Sequence, residues 1–172
     1  MQQSLTTVNQ HHFGLEQQLQ QQHQYLAFTL NAESYAVGIL YVKEIIEYRN
    51  LTPVPIAPVF IRGVLNLRGN VLPVIDLSLR LELPSASLSK HTCIVIIEMG
   101  NTEEILDIGI VVDAVNDVLS FPLNALEPAP AFGSRIRSDF IRHIGKQAER
   151  FITILDIEKV LSIEELSKLI SS

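Results

Sequence analysis

Cysteine, aromatic rings and positive charge are all in short supply in this chain of 172 residues. A single cysteine, Cys93, excludes an internal disulfide framework and points to a reducing compartment. It lies in the apolar run Cys93-Ile94-Val95-Ile96-Ile97, where a thiol reads as a small buried hydrophobe rather than a reactive group. Lysine and arginine number 13 against 19 acidic residues, for a net charge of -6. That balance argues against a nucleic-acid binder, which needs a basic face to displace counterions from phosphates. Aromatic residues make up only 6%, too few for the stacking platforms of a single-strand binder. No stretch reaches the ~18 uninterrupted apolar residues of a membrane span. The N-terminus lacks the basic-then-apolar pattern of a signal peptide, so a cytoplasmic protein without direct membrane insertion is expected.

Signatures of catalysis are lacking too. There is no phosphate-cradling glycine loop and no Gly-x-Ser-x-Gly elbow. His91 and His143 stand apart from any second Cys or His at metal-ligand spacing, and His11, His12 and His23 fall in an N-terminal tail. Asp76, Asp113 and Asp156 each follow an apolar pair and could be imagined as a carboxylate cluster. Asp76 and Asp156 occupy equivalent places in an internal repeat, which favours a strand-end turn made twice. No metal, cofactor or enzymatic activity is expected.

What is present is apolar material, 47% of the chain, enough for one substantial core. Residues 1–24 form a glutamine-rich tail expected to bury little and stay flexible, with a weak helical pattern through Phe13, Leu15 and Leu19 that could dock on the body. From Tyr25 onward, short runs of Val, Ile, Leu and Phe are broken by Gly, Pro and Asn, the pattern of strands in a sandwich or barrel. A polar break at residues 31–34 reads as a hairpin loop, and residues 100–104 form a second such connection.

The chain also repeats itself. Val37, Ile39, Val42, Glu44 and Ile45 match Ile110, Val112, Val115, Asp117 and Val118 in register. Further on, Phe60-Ile61-Arg62 recurs as Phe140-Ile141-Arg142, and Val74-Ile75-Asp76-Leu77 as Ile154-Leu155-Asp156-Ile157. The change of offset falls in proline-rich stretches, where insertions belong. Two related small β-barrels follow, about residues 32–90 and 91–160, sharing apolar surface so that neither half folds well alone. After them, Ser162 followed three residues later by Glu165, with Ile163, Leu166, Leu169 and Ile170, predicts a capped amphipathic helix over residues 162–170.

One segment differs between the repeats. Gly63-Val64-Leu65-Asn66-Leu67-Arg68-Gly69-Asn70 stands opposite His143-Ile144-Gly145-Lys146-Gln147-Ala148-Glu149-Arg150. In the first copy Asn66, Gly69 and Asn70 suit a tight turn that would present the Arg68 guanidinium in a defined direction, a recognition element.

These residues resemble the CheW-like domain of chemotaxis coupling proteins. The resemblance rests on Phe28-Thr29-Leu30 with Tyr35-Ala36-Val37, then Val42-Lys43-Glu44-Ile45-Ile46, then Phe60 through Gly69, then Val71-Leu72-Pro73-Val74-Ile75-Asp76-Leu77. In the second half Gly109-Ile110-Val111-Val112-Asp113-Ala114-Val115 and residues 151–161 agree as well. The resemblance implies a mainly β fold of two intertwined SH3-like five-stranded β-barrels with a C-terminal helix, the first strand region joining the second barrel. Residues 25–170 would then be a single CheW-like domain. It also implies a non-enzymatic adaptor between the cytoplasmic tip of a chemoreceptor (a methyl-accepting chemotaxis protein) and the regulatory domain of a CheA-type histidine kinase, recruited to membrane-associated arrays. By position, Arg68, Gly63, Asn66 and Glu44 are the receptor-binding candidates, and Val42, Glu44 and Ile45 the kinase-binding ones. Phe132, after Pro128-Ala129-Pro130, is either an exposed aromatic knob for the kinase or a buried core residue.

Two features depart from the family pattern: the glutamine-rich tail, and the longer, more acidic second hairpin at Glu103-Glu104-Ile105-Leu106-Asp107. A chemosensory system driving type IV pili or another non-flagellar output is an alternative within the same class. From a different class, small β-barrels also bind small ligands or oligonucleotides.

Overall fold

The structure, a computed structural model, describes residues 23–162 apart from 101, 102 and 132. The predicted tail, all but its last two residues, the predicted helix beyond Ser162, and Phe132 therefore lie outside the described residues. Among the described residues eleven strands follow in chain order: β1 (Gln24–Leu30), β2 (Glu33–Gly38), β3 (Val42–Glu47), β4 (Ile61–Leu67), β5 (Asn70–Asp76), β6 (Cys93–Gly100), β7 (Ile105–Val112), β8 (Ala114–Ser120), β9 (Leu126–Glu127), β10 (Ile141–Gln147) and β11 (Arg150–Leu155). Two single-turn helices, α1 (Leu77–Arg80) and α2 (Ile157–Val160), follow β5 and β11.

One sheet has the order β3-β6-β7-β5-β4 and the other β8-β1-β2-β11-β10-β9. Each closes on itself. Beyond β3, Thr52 exchanges both backbone hydrogen bonds with Val64 of β4, at 3.0 and 2.8 Å. In the second sheet the chain leaves β8, makes a short turn and returns as β9 against β10. The mainly β, doubly barrelled architecture expected from the sequence is thus present, and the sequence repeat maps onto it. β4 and β10 carry the same register shift, between Ile61 and Gly63 and between Ile141 and His143. Asp76 and Asp156 cap the two single-turn helices, accepting from the amides of Leu79 at 3.2 Å and Lys159 at 3.3 Å. Asp113 accepts from the Asn31 amide at 2.9 Å, so all three aspartates hold backbone.

The barrels do not follow the division of the chain at residue 90. β2 pairs with β1 and β11 in the second barrel, whereas β6 and β7 complete the first. A repeat identifies equivalent segments, not which copies pair. Here the equivalent hairpins β1–β2 and β6–β7 are exchanged between the two repeats, and the exchange is what intertwines the barrels.

Three apolar clusters follow from that exchange. Ile46, Leu65, Leu72, Val74, Ile94 and Val111 fill the first barrel, and Tyr25, Ala36, Phe121, Ile152 and Ile154 the second. The largest cluster lies between them, with Leu26, Phe28 and Leu30 from the second barrel against Val95, Ile97 and Ile110 from the first. Alternation along β1 sends Leu26, Phe28 and Leu30 to this shared core and Tyr25 to the private one, the two faces of a pleated strand. On the same shared core, Arg80 of α1 donates from Nε to the Val160 carbonyl of α2 at 2.7 Å. Its guanidinium lies over the rings of Phe60 and Phe140, the two copies of one repeat position.

Candidate functional site

The specialised turn sits at one end of the first barrel. Leu67 and Asn70 are paired, leaving Arg68 and Gly69 as a two-residue hairpin loop with φ of 51° and 86°. Positive φ at both central positions is the type I′ geometry that matches the twist of paired strands. Glycine accepts it freely; arginine does not, yet Arg68 stands there. Asn66 Oδ1 accepts from the Gly69 amide at 3.1 Å and fixes the turn. The side chain of Arg68 is 70% exposed and reaches across the seam between the edge strands β4 and β3 to Glu44. Both terminal nitrogens engage the carboxylate, Nη1 to Oε1 at 3.2 Å and Nη2 to Oε2. This fork-to-carboxylate pairing fixes the direction of the guanidinium as well as its place. The hydrogen bond from Arg68 holds the Glu44 carboxyl below its ordinary value, so the pair is fully charged at neutral pH and is lost only as acid protonates Glu44.

Arg68, Asn66 and Glu44 thus form one constellation. Gly63 does not join it. It is buried at the register shift in β4, where a Cβ would lie 2.5 Å from the Thr52 carbonyl oxygen, and its φ is 150°. Gly63 therefore permits the close approach of Thr52 that shuts the barrel. Val42 is partly buried against the shared core, paired with Ile97, whereas Ile45 is 42% exposed beside Glu44. Between them Lys43 is tied to Asp107 at 2.8 Å and Glu98 at 3.7 Å. Val42, Glu44 and Ile45 accordingly share one short strand, with Ile45 its accessible apolar group. Cys93 is half-buried, and burial pushes its thiol up, away from nucleophilic character.

The comparisons with known proteins agree with this geometry. The CheW-like domain family matches residues 24–165. The chain belongs to the CheW-like family. The chemotaxis protein CheW of Klebsiella aerogenes is 38% identical over 144 residues, covering 84% of each chain. That of Bacillus subtilis is 37% identical over 139 residues, 81% of this chain and 86% of the other. Among solved structures, the scaffolding protein TtCheW from Thermoanaerobacter tengcongensis superposes with a TM-score of 0.73 at 32% identity, over 82% of this chain and 88% of that one.

Within this CheW-like fold the second barrel has no equivalent of the Arg68 constellation. Its corresponding turn carries Ala148, with φ of 55°, and Asp117 stands where the first barrel has Glu44. It has instead a groove of about 510 Å³ between β1, the segment 39–41, the segment 123–126 and β10. Arg142 and His143 line this groove, and neither stood out in the sequence. The signal was present in the repeat, where Phe-Ile-Arg is followed by Gly63 in one copy and His143 in the other.

Proposed function

We propose that this chain is a non-enzymatic chemotaxis adaptor that couples the cytoplasmic tip of a chemoreceptor to the regulatory domain of a CheA-type histidine kinase. The observation that carries the reading is the Arg68–Glu44 pair, mounted on a type I′ turn that Asn66 locks. A guanidinium placed in a fixed direction on a rigid, exposed turn is suited to reading carboxylates and carbonyls at the end of a helical hairpin. Its neighbour on β3, the exposed Ile45, supplies an apolar contact for the kinase, so the two partners meet adjacent faces of one barrel. Glu44 belongs to both, which lets occupancy of one face be felt at the other without a large motion of the adaptor.

Individual contacts of this size are modest, and assembly draws its strength from many adaptors held together in an array. The test is co-sedimentation with receptor-bearing membranes and a CheA-type kinase. Wild type should carry the kinase into the pellet and a folded Arg68→Ala variant should carry severalfold less. If wild type binds neither component, the coupling reading fails. If the folded variant recruits as well as wild type, the role of Arg68 fails.

A further inference from the structure

The groove of the second barrel is built from chemistry that nothing in the adaptor reading uses. Leu40 and Leu123 line it while 61% and 71% exposed, large aliphatic side chains left open to solvent. Tyr25, Leu126 and Ile154 line its walls. The charged group at its mouth is Arg142, which is exposed and makes no ion pair among the described residues. The nearby carboxylate Glu158 is engaged by the Tyr41 hydroxyl at 2.8 Å. His143 also lines the groove, with its Nδ1 buried and without a hydrogen-bond partner among the described residues.

The equivalent residues of the first barrel are placed differently. Arg62, the counterpart of Arg142, lies 3.0 Å from Asp76 and also donates to Ser85 and to the Ala86 carbonyl. The counterpart of His143 is Gly63, where Thr52 fills the space. In the first barrel the same place is closed by the chain itself.

We propose that the groove of the second barrel is a docking site for an acidic peptide segment of a partner protein, anchored by a large aliphatic side chain between Leu40 and Leu123. Arg142 receives a neighbouring carboxylate through its planar fork. A nucleic acid would need several cations aligned along the groove, and only one arginine is present.

The test uses the full chain and fluorescein-labelled peptides read by anisotropy. The probe Glu-Glu-Ile-Leu-Asp is compared with Lys-Lys-Ile-Leu-Lys, which reverses the charge, and Glu-Glu-Ser-Ser-Asp, which removes the anchor. The acidic aliphatic probe should bind, weaken on raising salt, and lose about tenfold or more in affinity with Arg142→Glu and with Leu123→Asp. Both changed residues are on the surface, and a urea midpoint like that of wild type confirms folding. Amide shifts of a nitrogen-labelled sample should move around Arg142 and Leu123. Equal binding of either control peptide, shifts centred on Arg68, or no binding of the acidic probe at millimolar protein would each overturn the proposal. Because it rests on the second barrel alone, failure of receptor recruitment at Arg68 leaves it standing.

Discussion

Arg62 and Arg142 open the same strand in two copies of one barrel, each at the register shift, and they end with different surroundings. Arg62 is folded in: Asp76, with no exposed surface, takes its Nε at 3.2 Å and is bonded as well by the Ser85 hydroxyl at 2.9 Å. Arg142 is exposed: the carboxylate at the position equivalent to Asp76, Asp156, is only half-buried and caps the helix at the Lys159 amide, with no ion pair to Arg142 among the described residues. The turns diverge in the opposite sense, for the first barrel carries Arg68 at a position where the second has Ala148. Duplication supplied one scaffold twice, and each copy invested a different end of it. The first barrel tied in its arginine and armed its turn; the second kept a plain turn and a groove lined by Arg142.

The comparison can be broken hardest at the place where the first barrel shuts. Gly63→Val should cost about 3 kcal/mol or more, because a side chain there must displace the Thr52 carbonyl and adopt a positive φ. The reciprocal His143→Gly should cost about 1 kcal/mol, the backbone freedom that glycine adds within a strand. Urea unfolding of the two variants measures the difference. Equal losses would mean that the close approach of Thr52 places no special demand on Gly63.

The paired aspartates give the next contrast. Removing Asp76 leaves the half-buried Arg62 guanidinium without its carboxylate and takes the acceptor from the Leu79 amide and the Ser85 hydroxyl, so Asp76→Ala should cost about 3 kcal/mol. Asp156→Ala removes one helix cap and should cost about 1 kcal/mol. Thermal and urea unfolding of both variants checks the ranking, and a larger loss at Asp156 would reverse it.

The smallest expected change in stability is at the turn. Asparagine tolerates the left-handed conformation of a type I′ loop better than arginine does. Arg68→Asn should therefore leave the urea midpoint at or above that of wild type while recruitment of the kinase falls. A lowered midpoint would show that the arginine is there to hold the turn together.

Much of this was legible in the chain. The repeat predicted two barrels because apolar and acidic types kept register over long stretches, and such agreement reflects buried faces that tolerate few substitutions. The turn at Arg68 was visible because asparagine and glycine mark positive φ. The partnership of Glu44 with Arg68 was not, since it crosses a seam that exists only when Thr52 meets Val64 and the sheet closes. The exchange of hairpins was hidden for a related reason. Equivalent segments have equivalent patterns, so periodicity cannot say which copy β2 or β6 will pair with. The reading of Gly63 as a receptor-binding candidate came from its place beside the motif, while its buried contact with Thr52 accounts for the residue through closure of the barrel.

The central claim is that recruitment resides in the armed turn of the first barrel and not in its plain counterpart. Kinase co-sedimentation with receptor-bearing membranes, run side by side on wild type, Arg68→Ala and Ala148→Asn, tests it most directly. The account predicts a severalfold loss with Arg68→Ala and recruitment equal to wild type with Ala148→Asn. Undiminished recruitment by a folded Arg68→Ala, or an equal loss from Ala148→Asn, would contradict it.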